Sequence, residues 1–313
     1  MESLSIIVPC YNEEAVISQT YQRIKSVLDK ENLFNHVIIF INDGSRDNTL
    51  TILKDISTKD KKVKILSFSR NFGHQPAVCA GLKYCNSEIA IIIDADLQDP
   101  PEIFPDMIKI YQEKKCNVVY AVRQERKGES YFKKLTAKLY YKMINNMSDT
   151  PLPVDTGDFR LIDRKVIDEF NRLREKNKYI RGLISWIGFK QEPILYVRDV
   201  RAAGETKYPI SKMLKFATTG LLYFTKKPLK LSITVGFISI IVGLIFASYI
   251  ILGKLTNKLY VVEGWTSIMI VAIFFGGVQL MTIGVLGEYI GSIFDEVKDR
   301  PEFIVDQKIN FDE

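Results

Sequence analysis

A chain of 313 residues that is 47% hydrophobic and 26% charged can pack a sizeable core, which excludes an intrinsically disordered protein. The net charge of +6 is uneven: residues 123–146 carry seven basic and two acidic side chains, residues 201–230 carry seven and one, and the remainder is mildly acidic. Anionic partners are therefore expected at defined places, with nucleic acid and anionic lipid both fitting at this level.

The N-terminus has no basic n-region and no long apolar core, so no signal peptide is expected. Apolar runs of strand length follow at 4–8, 37–41, 63–68, 89–93 and 118–122. Polar stretches long enough for helices, such as 13–30 and 101–115, separate them. Continuous apolar strands alternating with helices predict a mostly parallel sheet covered on both faces, an α/β nucleotide-binding type of domain. The G-x-G-x-x-G fingerprint is absent, which argues against a dinucleotide dehydrogenase. Cys10, Cys79, Cys85 and Cys116 lie far apart with no C-x-x-C pair, as reduced thiols in the cytosol would.

Ligands of such sheets bind beyond the carboxyl ends of the strands. Here those ends read Pro9-Cys10-Tyr11-Asn12-Glu13, Asn42-Asp43-Gly44-Ser45 and Asp94-Ala95-Asp96-Leu97-Gln98-Asp99, so acidic and polar groups gather at one edge. Two carboxylates one residue apart at a strand end are hard oxygen ligands for Mg2+ or Mn2+, which also bind substrate phosphates. Asp43-Gly44-Ser45 fits a nucleotide contact or a plain turn, and Asp47 fits an N-cap for the next helix. Arg123, Lys127, Lys133 and Lys134, then Arg160, Arg201 and Lys207, form a basic set suited to phosphate. His36 and His74 are the only histidines, too few for a zinc cluster or a Ser-His-Asp arrangement.

The last third changes character. Residues 231–252 and 265–286 contain no charged side chain, and each would span roughly 33 Å as a helix, enough for a hydrocarbon core of about 30 Å. They predict a two-helix transmembrane hairpin, with Lys226, Lys227, Lys230, Lys298 and Arg300 keeping both ends in the cytosol. Residues 131–147 place Phe132, Leu135, Leu139, Met143 and Met147 on one face and Lys134, Lys138 and Lys142 on another. That is the pattern of an interfacial amphipathic helix, or of a surface helix packed on the domain. A similar pattern runs through 209–228 just before the first span. Gly277, Gly284 and Gly291 recur every seven residues, with Gly287 four before Gly291, which fits homo-oligomerisation through the spans or packing within the hairpin.

These motifs together resemble those of inverting family 2 glycosyltransferases of the GT-A fold. Carrying the resemblance are Pro9–Glu13, Asn42–Ser45, Asp94-Ala-Asp-Leu-Gln-Asp-Pro-Pro101 and Arg201-Ala-Ala-Gly-Glu-Thr-Lys207. Arg70-Asn-Phe-Gly-His74 and Asp155-Thr-Gly-Asp-Phe-Arg160 narrow it to the bacterial polyprenyl-phosphate glycosyltransferases, most closely the bactoprenol glucosyltransferases of the GtrB type, relatives of the dolichol-phosphate mannose synthases. The resemblance runs from residue 4 to the second span.

It implies transfer of a hexose, glucose first, with N-acetylglucosamine and galactose as alternatives, from a UDP-sugar to polyprenyl phosphate, with no nucleic acid involved. Pro9, Tyr11, Asn12, Glu13, Asp43 and Ala95 would hold the nucleotide. Asp94 and Asp96, with Gln98 as a further ligand, would hold the metal and diphosphate. Arg201 and Lys207 would close over the diphosphate, Arg123, Lys127 and Lys134 would meet the lipid phosphate, and Asp158 would sit beside the attacking oxygen. Asn42 stands where many relatives carry a second Asp. A catalytic domain over 1–208, spans within 229–288, a cytosolic tail over 289–313 and residence in the bacterial plasma membrane complete the expectation. A processive polysaccharide synthase is disfavoured because Arg181–Trp186 lacks the Q-x-x-R-W spacing, and a non-catalytic scaffold because the acidic and basic motifs are intact.

Overall fold

The structure, a computed structural model, describes residues 3–31, 35–124, 156–176, 178–198, 227–256 and 264–311. Eight strands form one sheet: β1 (Ser3–Cys10), β2 (Asn35–Asn42), β3 (Val63–Phe68), β4 (Ile89–Ile92), β5 (Val118–Arg123), β6 (Thr156–Asp163), β7 (Gln191–Tyr196) and β8 (Val305–Ile309), in the order β7-β5-β6-β4-β1-β2-β3-β8. Helices α1 (Ile17–Glu31), α2 (Thr49–Lys59), α3 (His74–Lys83), α4 (Phe104–Lys114), α5 (Arg164–Arg172) and α6 (Ile180–Ile187) intervene.

The four expected N-terminal strands are parallel. Their Ile, Val and Leu side chains are buried on both faces, because helices cover both. On one face Ile6, Val8, Phe40 and Ile91 pack with Ile17 and Ile24 of α1, Leu53 of α2, and Phe104 and Met107 of α4. The chain steps outward from β1 to β2 and β3, then returns to the other side of β1 with β4. That reversal opens a crevice beyond the carboxyl ends of β1 and β4, where Pro9–Glu13 and Asp94–Asp99 lie.

Three strands have no apolar run to announce them. β6 lies antiparallel between β4 and β5, and all eight of its residues are buried although Asp158 and Arg160 are among them. β7 carries Pro193 and is an edge strand, the place where a missing N–H is tolerated. β8 caps the opposite edge antiparallel to β3. Its middle residues Asp306, Gln307 and Lys308 are exposed, as polar side chains on an edge strand are.

Two helices, α7 (Lys227–Leu255) and α8 (Trp265–Val297), belong to a second compact unit. Phe275 of α8 approaches Gly243 of α7, where an added Cβ would stand 3.3 Å from its ring. Among the described residues, one stretch, Phe274–Val297, is long and apolar enough by itself to cross a membrane, and Ser232–Ile245 is a shorter apolar run. The apolar helix thus extends eleven residues past the expected end at 286, and the expected tail over 289–313 is helix followed by an edge strand of the eight-stranded sheet. The amphipathic segment at 131–147 and most of 209–228 lie outside the described residues.

Candidate active site

The first two loops of the crevice are knitted together by their own polar side chains. Asn12, at a left-handed φ of 53°, donates its N–H to Ser45 Oγ at 3.0 Å and accepts from the Arg46 N–H at 2.8 Å. Glu13 N–H donates to Thr49 Oγ1, and Asp47 accepts from the N–H groups of Glu14 and Thr49. The N-cap of α2 is Asn48 rather than the expected Asp47, and it makes no side-chain cap bond; Asp47, one residue earlier, accepts from the Thr49 N–H and hydroxyl instead. Asn42 is buried, with its amide donating to Ser67 Oγ and accepting from Ser45 N–H, a pair of roles that a carboxylate could not fill at once. Pro9 is buried and Tyr11 half-buried beside them.

Asp43 points into the protein. Its carboxylate accepts from Asn71 Nδ2 at 2.8 Å, Phe72 N–H at 2.7 Å and Gly73 N–H at 2.9 Å. Burial raises its pKa, and those bonds work against the rise. Gly44 has a φ of +63°, and a Cβ there would meet the backbone carbonyl carbon of Arg70 and lie 2.6 Å from the Asn71 nitrogen. Only glycine lets the 42–45 turn approach the 70–73 loop this closely. The two motifs, 28 residues apart in sequence, act as one unit that delivers His74 to the crevice.

His74 opens α3 beside Asp158 of β6. The Asp158 carboxylate, almost fully buried, accepts from His74 Nε2 at 3.1 Å, Gln75 Nε2 at 3.0 Å and Arg181 Nε at 2.9 Å. Arg181, on α6, also donates Nη1 to the Thr156 carbonyl at 2.7 Å, and the Ile180 N–H donates to Gln75 Oε1 at 3.1 Å. Burial alone would raise the Asp158 pKa, but the Arg181 guanidinium, then His74 and Arg160, hold it well below the usual carboxylate range. His74 is affected in the reverse sense. Burial would lower it, whereas Asp158 and then Asp94, 3.7 Å away, raise it to about 9. Arg160 is buried and donates Nη2 to the Gly157 carbonyl, its Nε has no hydrogen-bond partner among the described residues, and burial lowers its pKa to about 10.

A second polar group occupies the other end of the crevice. Tyr196 of β7 donates its hydroxyl to Asp99 Oδ1 at 2.6 Å and accepts from Arg123 Nε at 3.3 Å. Arg198 lies 3.6 Å from Asp99 and 4.0 Å from Asp96. Burial, then the Asp94 charge, pushes the Asp99 carboxyl up to about 6. Asp94 is raised by burial and by the charges of Asp158 and Asp96, against His74 and Arg198. Asp96 Oδ1 accepts from the Gln98 N–H, and Ala95 is buried with its carbonyl accepting from Thr20.

Arg123 runs to Tyr196 and past Gly157, where a Cβ would stand 3.2 Å from its Nη2. Asp158 pairs with Arg181, a residue to which the sequence gives no site role. Gln75, Tyr196, Asp99 and Arg198 were likewise unassigned, since each takes its role from strands or helices far away in sequence. The expected residues Lys127, Lys134, Arg201 and Lys207 lie outside the described residues. Among the described residues no three His, Cys, Asp or Glu side chains are grouped to hold a metal by themselves.

A mostly parallel α/β sheet with acidic groups at its switch-point crevice is the architecture of the GT-A fold. The chain belongs to glycosyl transferase family 2, whose profile matches residues 5–170, and it is a glycosyltransferase. It is 50% identical over 301 residues to the uncharacterized glycosyltransferase YkcC of Bacillus subtilis (strain 168), covering 96% of this chain and 92% of that one. It is 36% identical over 304 residues to the bactoprenol glucosyl transferase of Shigella phage SfII, covering 96% and 97%. The fold is also that of mannosyl-3-phosphoglycerate synthase from Rubrobacter xylanophilus, with a TM-score of 0.50 and 14% identity over 71% of this chain and 73% of that one.

Proposed function

We propose that this enzyme transfers glucose from UDP-glucose to polyprenyl phosphate with inversion at the anomeric carbon. The observation that carries the reading is the meeting in one crevice of the crowded carboxylates Asp94, Asp96 and Asp99 with the cations Arg123, Arg181 and Arg198. Relatives named bactoprenol glucosyl transferase, alike over nearly the whole chain, support the sugar and the acceptor.

The residues present fit a divalent cation. Burial and the neighbouring Asp158 and Asp96 charges disfavour the ionised form of Asp94, and a hard cation relieves that crowding. Mg2+ or Mn2+ takes one or two carboxylates and fills its remaining positions with water and substrate phosphate, so no larger protein cluster is needed. Asp94 and Asp96 would hold it, with Gln98 as a further ligand, and it would neutralise charge on the departing diphosphate. Arg198, 4.0 Å from Asp96 and 3.6 Å from Asp99, supplies a donor beside these carboxylates. Arg201 and Lys207 would complete the diphosphate contacts, and Pro9, Tyr11, Asn12 and Glu13 would line the nucleoside. Asp43 would serve that contact indirectly, through the 71–73 loop it ties down.

An oxygen of the lipid phosphate forms the new bond to the anomeric carbon as the bond to the UDP oxygen breaks. A phosphate monoester has a second pKa near 6, so at pH 7 roughly nine-tenths of the acceptor is already the dianion. Completing its deprotonation is worth about 0.1 kcal/mol at most. A carboxylate held well below the usual range is also a poor base. Asp158 therefore orients: it fixes Arg181 and His74 so that the attacking oxygen lies in line, with Arg123, Lys127 and Lys134 as further phosphate contacts. Such positioning can contribute several kcal/mol.

Both α7 and α8 would cross the plasma membrane, with the catalytic domain and both termini in the cytosol. The chain leaves the catalytic sheet before α7 and returns to it as β8 after α8, and both ends of an even number of crossings lie on one side. Among the described residues, nothing beyond their own helix turn lies within 4 Å of a Cβ built on Gly277, Gly284 or Gly291, which leaves small residues for a second copy to approach. The direct test incubates purified protein with polyprenyl phosphate and a panel of nucleotide sugars. The mass of the lipid product should increase by one hexose with UDP-glucose. A product only with another sugar would overturn the donor, and none with any would overturn the acceptor.

A further inference from the structure

Beyond α8 the chain is anchored along residues 302–310. Glu302 Oε1 lies 3.0 Å from Lys178 Nζ, and the two side chains are only 15% and 10% exposed. Phe303 stacks on Phe68 with ring centroids 5.2 Å apart, and the Ser69 N–H donates to the Ile304 carbonyl at 3.1 Å. At the far end Asn310 Nδ2 donates to the carbonyls of Ser57 and Val63 at 2.9 and 2.8 Å. A surface tail would need none of these contacts. An ion pair so far removed from water matters mainly through what happens when one partner is lost, since the other charge is then stranded.

The place of that pair is the informative part. Lys178 stands three residues before Arg181, its ammonium also over the Phe170 ring of α5 at 5.4 Å. On the opposite side Glu302 faces the Cys79 thiol of α3, which burial and then this carboxylate push up in pKa. Cys79 lies about one turn beyond His74 and Gln75. Helices α3 and α6 supply all three donors to Asp158, and they are joined directly by the Gln75 to Ile180 hydrogen bond. The Glu302–Lys178 pair holds the same two helices one step farther from the crevice.

We propose that Glu302 is a positioning residue for sugar transfer: through Lys178 it fixes where α6 begins, and so aims Arg181 at Asp158. The segment after the last membrane helix is then part of the catalytic apparatus. The inference rests on the reading of Asp158 as an orienting carboxylate.

The test uses the full chain in detergent or nanodiscs, with D158N as a control. E302Q should lower kcat about tenfold and leave the KM for the nucleotide sugar within about twofold, the pattern of a lost transition-state alignment. The reversed pair K178E/E302K should recover much of the loss. In an R181K background, E302Q should cost less than about twofold more, because residues acting through one another are not additive. E302D, which keeps the charge on a shorter arm, gives the same reading if E302Q fails to fold, with kcat reduced at unchanged Tm. Full kcat in E302Q, or an undiminished loss in the R181K background, would overturn the proposal. If D158N itself keeps its rate, the orienting role of Asp158 fails, whereas a D158N loss without an E302Q loss removes only the role of Glu302.

Discussion

Asp158 and Asp94 are the same residue type, share His74 as a neighbour, and are prepared for opposite work. Asp158 accepts from three side-chain donors, and the Arg181, His74 and Arg160 charges overcome its burial and keep it ionised. Asp94 sits among Asp158, Asp96 and nearby Asp99, and its pKa is raised. One carboxylate has had its charge neutralised within the protein. The other lies where negative charge exceeds what the surrounding cations offset, which is an invitation to an external cation. The environment, rather than the side chain, divides the roles.

The largest expected effect comes from the uncompensated side. D96N should lose about a thousandfold or more in kcat while remaining folded, an amount in line with removal of one element of leaving-group stabilisation. Chelator should abolish wild-type turnover, and added Mn2+ or Mg2+ should restore it. Full activity of D96N, or of the wild type in excess chelator, would leave the crowded carboxylates without a metal role.

Next comes the compensated side. D158N should lose at least about tenfold in kcat, because a neutral amide no longer aligns Arg181 and His74. The pH dependence separates orientation from base catalysis. A carboxyl depressed in the folded protein contributes stability that is present above its usual value of 3.8 and is lost only as pH falls through the lower folded value. Between pH 5 and 8 Asp158 therefore does not titrate. Raising the pH from 7 to 8.5 should not rescue D158N, and recovery to near the wild-type rate would mean that Asp158 is a base after all.

A smaller effect is expected at Tyr196. Y196F removes the hydroxyl that links Asp99 to Arg123, at a cost of about 1–2 kcal/mol in stability. A fall in kcat of only a few-fold should accompany a lower Tm, since the tyrosine hydroxyl bonds to Asp99 and Arg123 rather than to Asp94, Asp96 or Gln98. A loss as large as that of D96N would place Tyr196 in direct contact with substrate.

The smallest effect on turnover, and the clearest on geometry, concerns topology. Single cysteines at Ser3, Asn257 and Glu313 in a Cys-free variant would be probed on intact cells with an impermeant thiol reagent. Labelling at 257 alone is expected, and labelling at 313 would contradict the return of the chain to the catalytic sheet.

The parallel half of the fold was legible because β1 to β4 are buried on both faces and must be written in Ile, Val and Leu. The acidic edge was legible for the same reason, since strand ends mark where ligands go. β6 was not, because Asp158 and Arg160 interrupt the apolar run that a central strand otherwise requires. β8 was hidden by its exposed polar residues and by a partner strand more than two hundred residues away. Arg181 and Gln75 belong to the site through a helix junction, and no local pattern encodes a junction. Asp43 shows the converse case: its motif was visible, but its three donors lie in a second motif.

The division of labour between the two aspartates is tested most directly by Mn2+ binding, followed by electron paramagnetic resonance in the presence of UDP. The account predicts that D158N binds Mn2+ as the wild type does while its kcat falls, and that D94N and D96N lose most of the bound signal. Equal loss of Mn2+ in D158N and D96N, or wild-type binding by D96N, would contradict it.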